Sequence, residues 1–95
     1  MSNEASTVAH RAVVGLDNIP ARLEIDRIAG AVVKQTMGTE EMMAECVKIA
    51  EVHYVTIGEV YMKVWAKAEK HPDLHPTHPS GKSKTFHRLR ELATR

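Results

Sequence analysis

Apolar residues recur at helical spacing through the first third of the chain. A short first helix is indicated by apolar residues that share one helical face, namely Val8, Ala9, Ala12, Val13 and Leu16. A second helix is predicted to begin at the start signal Asp17-Asn18, with Pro20 in its first turn, and to end by Gly38. The apolar stripe of this second helix consists of Ala21, Ile25, Ile28, Ala29 and Val32.

The middle of the chain contains two further helical patterns. Thr39 is predicted to cap a helix whose buried stripe consists of Met43, Cys46, Val47, Ala50 and Tyr54. The sequence Thr56-Ile-Gly-Glu59 matches a capping box, so a new helix is predicted to begin at residue 57. One continuous helix over 39–70 is the competing interpretation.

The helix that begins at residue 57 has the most regular pattern, with Ile57, Val60, Tyr61, Val64 and Ala68 on one stripe. His71-Pro72 ends it, because the residue before a proline avoids the helical conformation. Three prolines and one glycine predict a loop over 72–81. Ser83 is then predicted to cap a last helix, over 82–94 with its cap, whose inner face holds Phe86, Leu89 and Leu92 or Ala93.

The pattern as a whole predicts an all-α fold. We expect a single small domain over 1–95, with four to five short helices, a disordered start at 1–5 and a C-terminal helix-loop-helix. A chain of 95 residues buries a modest core. Its stability as a monomer should therefore be marginal, and self-association into a homodimer is a reasonable expectation.

Composition narrows the class of protein. A hydrophobic share of 43% and a charged share of 26% are those of an ordinary globular chain, not of a disordered or collagen-like one. The single cysteine cannot form an internal disulfide. Because the N-terminus also lacks a basic and apolar leader, we expect a cytoplasmic protein. No run of 18 apolar residues occurs, so no membrane partner is expected.

The positive charge is concentrated at the C-terminal end of the chain. Residues 1–70 hold eight basic and ten acidic side chains, a balance of −2, whereas residues 71–95 hold five basic and two acidic ones, a balance of +3. Four of the six histidines also lie in the second segment. This asymmetry favours an anionic partner for the C-terminal segment.

Residues 56–92 resemble the paired helices of helix-turn-helix and winged-helix DNA-binding domains. The resemblance rests on the segment Thr56–Lys70, a loop, and the segment Ser83-Lys-Thr-Phe-His-Arg-Leu-Arg-Glu-Leu92. In that family the second helix inserts its N-terminal residues into the major groove of duplex DNA. The resemblance implies that the DNA is faced by Ser83, Lys84, Thr85, His87 and Arg88, with Lys82 and Arg90 on phosphates. The loop of about ten residues departs from the short turn of a simple helix-turn-helix.

A protein-binding adaptor or inhibitor is the alternative function. This hypothesis rests on a set of adaptable apolar side chains, namely Met37, Met42, Met43, Met62 and Trp65. The same side chains also suit a core that is poor in aromatic residues. Both hypotheses assign the protein a binding function. We expect neither catalysis nor a cofactor, because no nucleophile has a base assigned to it by the sequence.

Two smaller features have a chemical and a structural interpretation. His71, His75 and His78 with Asp73 carry metal-ligand atoms, but a stiff, solvated Pro-rich linker explains them better than structural zinc. Cys46 lies in the middle of an apolar stripe, where a thiol is a small hydrophobe with a raised pKa.

Overall fold

The computed structural model describes residues 15–74 and 83–95. These residues contain four helices and no strand: α1 (Ile19–Val33), α2 (Thr39–His53), α3 (Ile57–Glu69) and α4 (Lys84–Ala93). The all-α prediction is therefore confirmed for a single small domain. Most of the predicted first helix and residues 75–82 of the predicted loop and helix lie outside the described residues, whereas Leu16 lies buried in a turn.

Side chains cap three of the four helices as the sequence predicts. The Asn18 Oδ1 accepts a hydrogen bond from the backbone N–H of Ala21 at 2.9 Å. Equivalent bonds join Thr56 to the Glu59 N–H at 3.2 Å and Ser83 to the Phe86 N–H at 3.0 Å. Each bond satisfies one of the backbone donors that a helix leaves free at its start.

The predicted cap of α2 is wrong. Gly38 is the cap residue, it offers no side-chain bond, and Thr39 is already the first helical residue. The Thr39 hydroxyl instead lies 3.3 Å from the Thr85 hydroxyl of α4. The oxygen that the local pattern assigns to a cap is thus used instead in a tertiary contact between α2 and α4.

The chain breaks between α2 and α3, so the continuous helix over 39–70 is excluded. Tyr54 adopts the left-handed conformation with φ of +56°. The N–H groups of Tyr54 and Val55 both donate to the Ala50 carbonyl, which closes the last turn of α2. Thr56 then starts α3 in a new direction.

The core lies between all four helices, and α3 packs on both α1 and α4 while α2 lies against α1 and α3. The predicted stripe of α1 is fully buried, and that of α3 is buried apart from the half-buried Ile57 at its start. In addition, no helix in the described ranges is long and apolar enough to cross a membrane.

The predicted stripe of α2 needs a correction. Its buried residues are Met42, Cys46 and Ile49, spaced at i, i+4 and i+7. Val47 and Tyr54 are exposed instead, Tyr54 by 72%. The apolar arc of α2 is wider than one stripe, so packing against α1 and α3 decides which edge turns inward. Tyr54 leaves the helical register altogether because it lies beyond the last turn.

Candidate nucleic-acid interface

The last helix is held against the bundle by its apolar side. Phe86 and Leu89 are buried, and Leu92 and Ala93 pack partly buried against the core. The Phe86 ring meets the Trp65 ring of α3 edge to face, with 5.0 Å between their centroids. Aromatic pairs in this geometry stabilise a contact beyond the burial of their area. The predicted inner face of α4 is confirmed.

The first turn of α4 is fixed by two hydroxyl groups, and one of them corrects a predicted site residue. Ser83 is half-buried and uses its oxygen as the helix cap. Thr85 is only 7% exposed and faces the Thr39 hydroxyl of α2. The expected outward orientation of Thr85 is therefore wrong. Successive residues of a helix are rotated by about 100°, so the Thr85 side chain turns toward the bundle although that of Lys84 does not.

The opposite side of α4 presents its basic residues to solvent. Lys84, His87, Arg88 and Glu91 follow one another at i, i+3, i+4 and i+7, which places them on a single face of α4. Arg95 is exposed just beyond the C-cap residue Thr94. Lys84 and His87 are exposed, Arg88 is half-buried, and Arg90 lies exposed at the flank. We call Lys84, His87, Arg88, Arg90 and Arg95 the α4 basic face. Lys82, the remaining predicted phosphate contact, lies outside the described residues.

The charges of the α4 basic face are largely unpaired within the described ranges 15–74 and 83–95. There, the one carboxylate within 4.0 Å of its basic side chains is that of Glu91, whose Oε1 lies 3.4 Å from the Arg88 Nη1. The side chains of Arg88 and Glu91 are 40% and 64% exposed, so the pair contributes little stability and is easily exchanged for another anion. The face therefore keeps a positive balance that an external anion can neutralise.

Most basic side chains of the other helices have carboxylate partners within the chain. Arg27 donates to Glu24 and Glu45, and these bonds raise its pKa. The Glu45 pKa is lowered, chiefly by the bond from Arg27 and next by the bond from Lys48. Longer pairs, at 3.6–3.9 Å, join Lys34 to Asp73, Lys63 to Asp17 and Lys67 to Asp26. Arg27 and Lys48 are thus neutralised more completely than the cations of α4.

The Met and Trp residues of the alternative hypothesis do not form one surface. Met37 and Met42 are buried in the core, and Met43 and Trp65 are half-buried. Of this set, only Met62 is strongly exposed. Met37 and Met42 are therefore corrected from candidate contacts to core residues, because the bundle has few aromatic side chains to fill it.

Exposed apolar side chains flank the contact between the start of α1 and the end of α2. Ile19, Val52 and Tyr54 are each more than 60% exposed. They are chain neighbours of Asn18 and His53, whose Nδ2 and Nδ1 atoms lie 3.4 Å apart. Tyr54 is predicted from the sequence to be buried, whereas Ile19 and Val52 lie off the predicted buried stripes.

The remaining chemical groups take structural positions. Burial raises the pKa of Cys46 to about 12, and its Sγ lies 3.9 Å from the Met42 Sδ, as expected for a core thiol. His71 packs on Gly30 of α1, and its Nδ1 accepts from the Asp73 N–H at 3.2 Å. His75 and His78 lie outside the described residues. Within 15–74 and 83–95, no three His, Cys, Asp or Glu side chains converge as metal ligands.

Comparison of the chain with protein-family models, curated proteins and solved structures finds no match.

Proposed function

We propose that this chain is a small, non-catalytic nucleic-acid-binding regulatory protein that contacts duplex DNA through the α4 basic face. The observation that carries the proposal is the contrast in charge pairing: within the described residues α4 has one internal pair for its cations, whereas Arg27 of α1 and Lys48 of α2 are held by closer bonds to Glu24 and Glu45. Phosphate contacts supply most of the affinity of such proteins, and they need cations that are free to exchange partners.

The dimensions of α4 fit the major groove. Ten helical residues span about 15 Å, and a helix of about 10–12 Å diameter enters a groove about 12 Å wide. Lys84, His87 and Arg88 lie in the N-terminal half of α4, the part that reads bases in helix-turn-helix domains. Arg90 and Lys82 are assigned to phosphates, and the long cationic side chains of Lys84 and Arg88 also neutralise phosphates at the edges of the groove. The proposal thus keeps the helix-turn-helix resemblance but leaves out Thr85 as a DNA contact.

A homodimer would double the contact with DNA and is part of the proposal. The single cysteine fits a reducing compartment, so we propose the cytoplasm as the site of action.

The proposal is tested by fluorescence anisotropy with a labelled duplex of about 20 base pairs at low salt. Lys84→Ala/Arg88→Ala should raise the Kd at least tenfold, because each hydrogen bond to a charged group contributes about 1.5–3 kcal/mol. The melting temperature should stay close to that of the parent, because both side chains point to solvent. Lys34→Ala/Lys48→Ala is the matched control, since it removes the same charge from outside α4.

Two results would contradict this assignment. If Lys84→Ala/Arg88→Ala binds the duplex as tightly as the parent chain, α4 does not contact DNA. If the control weakens binding equally, the affinity reflects net charge alone and no particular face carries it.

Protein binding remains a second candidate because the large apolar side chains Ile19, Val52 and Tyr54 are exposed beside the contact of Asn18 with His53. Large exposed apolar side chains that are close together mark interaction surfaces more often than isolated ones do. Here the expected result is one stoichiometric partner that resists nuclease treatment and is lost from the Ile19→Ser/Tyr54→Ser variant. Equal capture by the variant would rule out a role for these side chains.

A further inference from the structure

A cleft of about 470 Å³ opens between α1 and α3. This volume lies within the range of small-ligand sites, about 300–1,000 Å³. The cleft is on a different side of α3 from the α4 basic face: Lys67 lines the cleft, whereas Trp65, two residues or about 200° away, contacts α4. The two surfaces are therefore separate.

The rim of the cleft is strongly basic. Four cationic side chains line it, Arg22 from α1 and Lys63, Lys67 and Lys70 from α3, against the single carboxylate of Asp17. The three lysines fall at i, i+4 and i+7, so they share one face of α3. Like charges at this spacing destabilise a helix, and a bound anion would remove that penalty.

The lysines of the rim hold their internal partners loosely. Lys63 Nζ lies 3.9 Å from Asp17 Oδ1, and Lys67 Nζ lies 3.6 Å from Asp26 Oδ1. Both distances exceed the roughly 2.7–2.9 Å of a charge-assisted hydrogen bond, and all four side chains are more than half exposed. Within the described part of the chain, Arg22 and Lys70 have no carboxylate within 4.0 Å.

The cleft also has an apolar wall. Ala66 of α3 is exposed there, and Leu16 and Ile25, which are 5% and 3% exposed, close its floor. A bare inorganic anion would satisfy the rim and leave the Ala66 wall in contact with water. A ligand with both an anionic head and an apolar body covers both surfaces, and such a division between apolar lining and a few charged groups is typical of small-molecule sites.

We propose that the α1–α3 cleft binds a small amphiphilic anion. A phosphate or carboxylate head group contacts Lys67, Lys70 and Arg22, and a short apolar body lies against Ala66. The proposal does not depend on DNA binding by α4, because none of the cleft residues belongs to the α4 basic face.

Isothermal titration calorimetry of the full chain tests this site with octyl phosphate below its micelle concentration. Inorganic phosphate and octanol serve as the two halves of the probe. We expect saturable binding of one octyl phosphate per chain, with a Kd at least tenfold below that of either half. Lys67→Ala/Lys70→Ala should weaken this binding at least tenfold, and Lys34→Ala/Lys48→Ala should leave it within twofold.

A second variant separates the cleft from general charge effects. Ala66 is exposed, so Ala66→Phe is tolerated by the fold and fills the cleft from its wall. It should abolish octyl phosphate binding while the melting temperature and the DNA affinity stay at the parent values. The proposal is overturned if inorganic phosphate binds as tightly as octyl phosphate, if binding survives Ala66→Phe, or if the two double variants behave alike. Tighter binding of an acidic peptide than of octyl phosphate would also overturn it in favour of a protein partner.

Discussion

Leu89→Ala tests whether α4 packs on the rest of the bundle. The position of the α4 basic face depends on this packing. Leu89 is 0% exposed, so the substitution removes three buried carbon atoms from the contact between α4 and the rest of the core. At about 0.8 kcal/mol per buried carbon, the lost transfer free energy is about 2.4 kcal/mol. The cavity left behind raises the total to about 3–4 kcal/mol.

Leu23→Ala is the matched control. It makes the same chemical change inside a helix, but Leu23 is 64% exposed, so the expected change in the free energy of unfolding is below about 0.5 kcal/mol. For a domain of this size, 1 kcal/mol shifts the melting temperature by about 4–8 °C. Leu89→Ala should therefore lower it by roughly 12–30 °C, and Leu23→Ala by at most a few degrees.

Thermal unfolding is followed by circular dichroism, which reports the loss of helix, and by the fluorescence of Trp65, the single tryptophan. Trp65 contacts Phe86, so its emission reports whether α4 is docked. In Leu89→Ala we expect the fluorescence change at a temperature no higher than the loss of helix. If Leu89→Ala melts like Leu23→Ala with unchanged emission, α4 is not packed as described and the argument for its outer face fails.

Three further substitutions test local features by urea unfolding. Glu45→Gln should cost about 1 kcal/mol at pH 7, because Glu45 accepts bonds from Arg27 and Lys48. Since the folded-state pKa of Glu45 is lowered, this contribution is present above its ordinary value of 4.5, declines below that value and is lost as the pH falls through the folded-state pKa; a difference that does not shrink on acidification would contradict the pairing. Thr56→Ala should cost about 1 kcal/mol through loss of the α3 cap, and no loss would mean that the cap bond is absent in solution. Tyr54→Gly should instead stabilise the chain by about 0.5 kcal/mol, because relief of the left-handed backbone outweighs the added freedom of the unfolded chain; a loss would show that the Tyr54 side chain makes contacts that hold the turn.

Local signals predicted the helices well. Asn18, Thr56 and Ser83 each act within three residues of themselves, so the sequence contains all the partners of these caps. The break at Tyr54 is likewise set by the capping box that follows it. Thr39 differs because its hydroxyl meets Thr85, 46 residues away, and no local pattern contains that information.

Tertiary packing decided the features that the sequence left open. Met42 is buried and Val47 exposed because the apolar arc of α2 is wide, and its neighbours choose the inner edge. Periodicity correctly placed four residues away from the inner face of α4, namely Lys84, His87, Arg88 and Arg90. It put Thr85 there wrongly and did not include Arg95. Ser83, which the resemblance turned toward DNA, uses its hydroxyl as the helix cap. The α1–α3 cleft was beyond sequence reasoning, because it joins Arg22 to lysines more than 40 residues further along.

The most direct test of the central claim is the salt dependence of binding to duplex DNA. The proposed interface has four permanent cations, Lys82, Lys84, Arg88 and Arg90, and each phosphate neutralised contributes about −0.9 to the slope of log association constant against log salt. We predict a slope of about −3 to −4 for the parent chain and a slope shallower by about 2 for Lys84→Ala/Arg88→Ala. A slope near zero, or one that the double substitution leaves unchanged, would contradict DNA binding by this face.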